Sequence, residues 1–209
     1  MIETIENAVQ LALIAVCLTV SCVYVVRKKP PNGRILIMFY ASYLLGDLYW
    51  LLYLMCYGHT PAIFYVSDLS WYAAYTFLAL MLHGLFTEEE RKEKCWPVYL
   101  PVLFTGGMCV FYMQWGDYFG NLMSAMLMSI LMIYSVRGLI FIRKHPEAEN
   151  RRMMFLLTLV FCVLEYCVWT VSCYMDEYEA AYYTYIGFDV LLTVSMILFL
   201  LAFRKAVKA

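Results

Sequence analysis

Charge is what this sequence has least of. Lys, Arg, Asp and Glu make up 15% of its 209 residues while 64% are hydrophobic, against about 25% charged residues in ordinary soluble domains. That shortfall excludes a water-soluble globular domain. Lys and Arg are missing altogether from residues 58–62, 114–117 and 175–181, and no lysine interrupts a long apolar run. The eight cysteines form no Cys-x-x-Cys pair and no zinc-ligand spacing with histidine, so a metal framework is not expected. A P-loop, an H-E-x-x-H helix and a Gly-x-Ser-x-Gly elbow are all absent.

What is present is a series of helix-length apolar runs. A membrane-spanning helix needs about 20 mostly apolar residues, and seven windows qualify: 5–26, 35–57, 63–86, 97–114, 118–142, 153–174 and 182–203. A membrane barrel would instead show alternation over segments of about 10 residues. The first window is not expected to be a cleaved leader, because Glu3 and Glu6 stand where a basic flank belongs.

Fourteen of the fifteen basic residues fall in alternate loops and the tail: Arg27, Lys28, Lys29 and Arg34; Arg91, Lys92 and Lys94; Arg143, Lys144, Arg151 and Arg152; Arg204, Lys205 and Lys208. Arg137 is expected to snorkel to the nearby interface. Basic loops stay cytoplasmic, so the expected fold is an all-α integral membrane bundle of seven helices, N-terminus out and C-terminus in. The basic loops face anionic lipid, and nucleic acid is not an expected partner. The run from Glu88 to Lys94 reads as a solvated inner loop, and Cys56 and Cys173 lie near outer helix ends where they could pair.

An ionisable side chain within the bilayer costs at least about 2.5–3.5 kcal/mol and usually faces the bundle interior with a partner or a function. Four such acids stand out: Asp47, Asp68, Glu165 and Asp189. At 1.5 Å per residue, Asp68 and Asp189 should lie roughly 8–10 Å below the outer ends of their helices, and Asp47 and Glu165 roughly 13–15 Å down. Their neighbours at helical spacing include Trp50, Trp71, Tyr72, Trp169 and Tyr185, which would make aromatic walls. With no basic residue in this half, four adjacent carboxylates cannot all be ionised; protons or a bound cation would relieve the repulsion, and aromatic faces also attract cations. Each acid could instead fix helix packing through one neighbouring hydroxyl or indole. His59, His83 and His145 read as loop or interfacial residues, and Met123, Met126 and Met132 as packing filler.

The acids also hint at duplication. Asp47 and Glu165 each lie about twelve residues into their helix, each is followed by a tryptophan, and each has an acid on the next helix. A 3+1+3 plan with parallel repeats would place a site between the two triplets.

The segment Gly46-Asp47-Leu48-Tyr49-Trp50, with Ser67-Asp68-Leu69-Ser70-Trp71-Tyr72 on the next helix, resembles the membrane domains at the N-termini of some bacterial sensor and cyclic-di-nucleotide signalling proteins. That resemblance implies an input module in a bacterial cytoplasmic membrane. Gly46-Asp47, with Lys29-Pro30, is also similar to the lysoplasmalogenase family, polytopic hydrolases of lysolipid vinyl ethers; it implies Asp47 and Asp189 as acid and base. This chain departs from that family in span number and in having Asp68 where the family has histidine. Seven spans ending in an acid-bearing helix are similar to microbial rhodopsins, but the position four after Asp189 is Thr193, so retinal attachment is excluded. Seven-helix zinc hydrolases are excluded because the last helix lacks histidine.

The leading expectation is a receptor or sensor-like module that binds a small cationic or amphiphilic ligand in an outer-half pocket. Its anchors would be Asp47, Asp68, Glu165 and Asp189; no cofactor or metal is expected. Any signal would pass to a separate cytoplasmic or membrane partner, since few residues follow the last helix. A lysoplasmalogenase-like hydrolase and a proton-coupled or cation transporter are the alternatives.

Overall fold

Lipid offers backbone N–H and C=O groups no hydrogen-bond partner, so an apolar run in a membrane closes its own bonds as a helix. A computed structural model describes residues 2–59, 65–92, 96–175 and 178–207, and no strand occurs among them. Its helices are α1 (Ile2–Lys28), α2 (Gly33–Tyr57), α3 (Tyr65–Leu85), α4 (Glu88–Lys92), α5 (Leu100–Tyr112), α6 (Tyr118–Lys144), α7 (Arg152–Ser172) and α8 (Glu179–Ala206). Short 3₁₀ turns at Trp96–Tyr99 and Met113–Trp115 flank α5, and another at Pro146–Arg151 leads into α7. Lys94 and Lys208, both counted among the basic residues above, lie outside the described residues.

Among the described residues, six stretches are long and apolar enough to cross a membrane: Glu3–Lys28, Gly33–Tyr57, Trp96–Trp115, Tyr118–Lys144, Pro146–Ser172 and Ala180–Ala206. The chain is an α-helical integral membrane protein. α3 has spanning length, at 21 residues, and is not among the six; Ser67, Asp68, Ser70, Thr76 and His83 dilute its apolar surface. Large apolar side chains stand exposed on every long helix, for example Val16, Leu52, Leu69, Leu103, Met126, Leu156 and Leu191. In water this would be a liability; in acyl chains it is the solvated surface.

Local chemistry sets the helix ends. Pro30 and Pro31 stop α1, since proline has no N–H to donate and disfavours helix in the residue before it, and Lys29 and Asn32 take left-handed φ of 46° and 58°. Gly58, at φ 72°, ends α2 by closing its N–H on the Leu54 carbonyl, the turn that glycine makes without strain. Asp117 caps α6, its carboxylate accepting from the Gly120 N–H at 3.1 Å.

The helices pack in a closed ring: α1 on α2, α2 on α3, α3 on α6, α6 on α7, α7 on α8, and α8 back on α1. α5 stands against α6 at the periphery, with Tyr112 reaching α7 through Thr170 at 2.7 Å and the Tyr166 carbonyl at 3.1 Å. The core is aromatic. Phe39 and Phe161 meet Phe199 edge-on, Tyr75 meets Phe161, and the fully buried Tyr40 donates to the Met196 carbonyl at 2.7 Å. Phe155 packs flat on Phe86 and against Gly138, where a Cβ would stand 2.4 Å from its ring. Because Phe155 is fully buried it has no room to retreat, so Gly138→Ala is expected to destabilise by about 1–2 kcal/mol. Unfolding by SDS titration in mixed micelles checks this.

The basic side chains gather at one end, in the last turns of α1, α4, α6 and α8. Here the expectation of a solvated loop needs correction. Glu90 is 0% exposed and receives Arg151 Nη1 on Oε2 at 2.7 Å. Thr87 and Glu90 form a capping box, the Glu90 N–H donating to Thr87 Oγ1 at 3.2 Å. Arg151 also donates to the Leu85 carbonyl. Arg137 reaches over this loop: Nη1 donates to the Arg91 carbonyl at 3.4 Å while Nε is buried without a partner. Cys56 and Cys173 are both free thiols, and Cys173 Sγ bonds the Trp169 carbonyl at 3.2 Å.

Candidate functional site

The Gly46-Asp47 pair has a physical reason. A Cβ at position 46 would stand 2.6 Å from Trp71 Nε1, so glycine admits the indole of α3 to the surface of α2. Once there, Nε1 donates to Asp47 Oδ1 at 3.1 Å. Trp50, one turn on, lies 5.9 Å from Trp71 between ring centroids. Asp47 is 5% exposed, and its second oxygen is buried with no hydrogen-bond partner. Such an atom is rare in a folded interior and calls for a reason.

Glu165 of α7 is 3% exposed and accepts from two tyrosines on the facing helices: Tyr75 of α3 at 2.8 Å and Tyr43 of α2 at 3.5 Å. Asp189 of α8, 6% exposed, accepts from Gln10 Nε2 of α1 at 3.4 Å, and Thr193 Oγ1 closes on the Asp189 carbonyl at 3.0 Å. Asp47, Glu165 and Asp189 lie within electrostatic reach of one another. Glu6 of α1 joins them, within hydrogen-bonding range of Asp189 and in reach of Glu3 and Asp47. Tyr185, one turn before Asp189 and half-buried, faces the same acids.

The structure therefore brings together Asp47, Glu165, Asp189, Trp71, Trp50 and Tyr185 from the expected set, with Tyr43 and Tyr75 at helical spacing from Asp47 and Trp71, and adds Glu6 and Gln10. Glu6 and Gln10 stand outside the set expected from the sequence, where Glu6 bears only on the absence of a basic flank. Their signal was there: Glu3, Glu6 and Gln10 follow i, i+3, i+7 spacing, a polar stripe near the start of the helix.

Asp68 and Trp169 belong elsewhere. Asp68 lies seven residues before Tyr75, about 10 Å nearer the end of α3, where it meets the field of Asp117 at the start of α6. Tyr72, on the same edge, donates to the Gly120 carbonyl at 3.2 Å and accepts from Ser124 Oγ at 3.4 Å. Depth separates Asp68 from Asp47 and Glu165. Trp169 packs edge-on against Tyr112 and Tyr166 in an aromatic cluster between α5 and α7.

Two crevices along the protein surface lie elsewhere, at Trp96–Leu103 and between α6 and α7. Among the described residues, no three His, Cys, Asp or Glu side chains stand together as ligands of one metal ion. All described Lys and Arg side chains belong to the opposite end of the bundle, where Glu88, Glu90 and Glu149 pair with Arg91, Arg151 and Arg152. A carboxyl cluster so placed is suited to hold protons or a small cationic group, since either one lowers the mutual repulsion. No family model, curated protein or solved structure matches the chain.

Proposed function

We propose that the chain crosses a bacterial cytoplasmic membrane seven times, α3 included, with the carboxyl cluster in its outer half and the basic end in the cytoplasm. In this reading it is a sensor-like module whose cluster takes up a small cationic group and passes the change to a separate partner protein. The observation that carries it is a set of carboxyls with no basic side chain beside them, Asp47, Glu165 and Asp189 buried and Glu6 half-buried, with one Asp47 oxygen left free of any hydrogen bond. Trp50, Trp71 and Tyr185 beside them supply the faces that attract organic cations. The ring order also supports a 3+1+3 plan: turning α1, α2 and α3 onto α6, α7 and α8 maps each packed pair onto another packed pair, with α5 as the outer connector.

The test is thermal stability of the purified protein in detergent with choline against 3,3-dimethylbutanol, its uncharged isostere. Choline is expected to stabilise by about 1.4 kcal/mol at ten times its Kd. The isostere should do nothing, and Asp189→Asn should abolish the choline effect. Equal stabilisation by both compounds would remove the cationic reading.

One observation favours proton-coupled transport as a second reading. Glu3 and Glu6 at the start of α1 lead to Asp189 and from there to Asp47 and Glu165, a row of carboxyls from rim to core. Proton-gradient-driven uptake into vesicles that fails in Glu6→Gln is the result that would establish it over the sensor.

A further inference from the structure

At the basic end, the turn between α6 and α7 carries a crevice of about 360 Å³ lined by Leu139, Ile142, Arg143, Glu149, Arg152 and Leu156. Its two sides differ in chemistry. Arg143 comes from the last turn of α6 and Arg152 from the first position of α7, with Glu149 bridging Arg152 at 3.1 Å on the surface. Two guanidinium groups against one carboxylate leave the rim with a net positive charge. Below the rim the wall is apolar, and Leu156 continues into Val160 and Val163 along the exposed face of α7. A charged rim over a lipid-facing apolar track has the shape of a phospholipid: headgroup at the interface, chain against the helix.

We propose that this crevice binds one anionic phospholipid of the phosphatidylglycerol class, its phosphodiester held between Arg143 and Arg152 and one acyl chain lying along Leu156, Val160 and Val163. Guanidinium suits the task because its planar fork meets two phosphate oxygens at once, and basic pockets between membrane helices on the inner side hold such headgroups. Glu149 competes with the lipid for Arg152. Neutralising the competitor should therefore tighten binding. The inference is independent of the carboxyl cluster at the other end.

Native mass spectrometry of the purified full chain in mixed micelles, counting bound dioleoylphosphatidylglycerol against dioleoylphosphatidylcholine, tests it. Phosphatidylglycerol is expected to bind in preference, with one molecule retained longest. Each arginine contributes a factor of about five at a membrane surface, so Arg143→Gln with Arg152→Gln should weaken binding about 25-fold. Glu149→Gln should strengthen it. Both arginines are at the surface, so the double variant should fold, and an unchanged melting temperature without lipid confirms that. Equal retention of the two lipids overturns the proposal. So does unchanged binding in the double variant, unchanged binding in Glu149→Gln, or equal stabilisation by inorganic phosphate, which would make the site a phosphate site without a lipid track.

Discussion

Arg151→Met is expected to destabilise the fold by about 3–5 kcal/mol, the consequence of leaving one member of a buried ion pair alone. Glu90 is fully buried and Arg151 is its cation, at 2.7 Å. Removing Arg151 also frees the Leu85 carbonyl at the end of α3, so the α3–α4 turn loses both its charge partner and its anchor to the start of α7. Burial pushes the Glu90 carboxyl up from the ordinary glutamate range, and the attraction of Arg151 offsets only part of that. The pair is therefore worth little against an apolar pair of similar volume, and Glu90→Met combined with Arg151→Met should restore most of the loss. The single variant should also respond to acid. A carboxyl whose folded-state titration is raised favours the folded state below its ordinary value, and that advantage fades as pH rises through the raised value. The deficit of Arg151→Met should accordingly narrow as pH falls. SDS titrations of wild type, both single variants and the double variant measure all of this; single variants within about 0.5 kcal/mol of wild type would show that the pair is incidental.

That pair also illustrates where sequence reading runs out. The helices were legible because lipid imposes one rule, an apolar run of sufficient length, and the rule is local. Each expected window has a helix in it, and the helices overrun several windows because residues such as Arg27, Lys28, Arg143 and Lys144 carry them into the interface. Three of the acids were legible as a group because the insertion penalty applies to each residue separately. Which acids meet was not, since that depends on relative depth across helices: Asp68 is on a ring helix but too near its end to join Glu165. Gly46 showed only half its meaning, because the indole it admits comes from 25 residues further on. The burial of Glu90 has a local half, the Thr87-x-x-Glu90 capping box, and a remote half, Arg151 placed 61 residues away by the packing of α7. A charged heptad read in isolation looks solvated whichever of its members is buried.

Asp47→Asn is expected to stabilise the protein by about 2–3 kcal/mol while weakening the choline effect at least tenfold. The two halves of this expectation have one cause. Asp47 keeps one carboxylate oxygen on the Trp71 indole and leaves the other in the interior with nothing bound, and an acid in the middle of a membrane helix carries a penalty of about 2.5–3.5 kcal/mol. An asparagine still accepts the indole N–H and removes the charge, so most of that penalty is relieved. A chain selected only for stable packing would have no use for the acid; one that binds a cation there needs the unsatisfied oxygen, and stability is what it gives up. Trp71→Phe separates the two effects in the other direction. It removes the single donor to Asp47, costs about 1–3 kcal/mol, and leaves the carboxyl in place. Gly46→Val should act in the same way, because its side chain would occupy the space of the indole. Melting curves of Asp47→Asn and Trp71→Phe with and without choline decide the matter. If Asp47→Asn melts lower than wild type and responds to choline undiminished, the aspartate is a packing element held by one indole, and the cluster has lost the feature that sets it apart from an ordinary polar core.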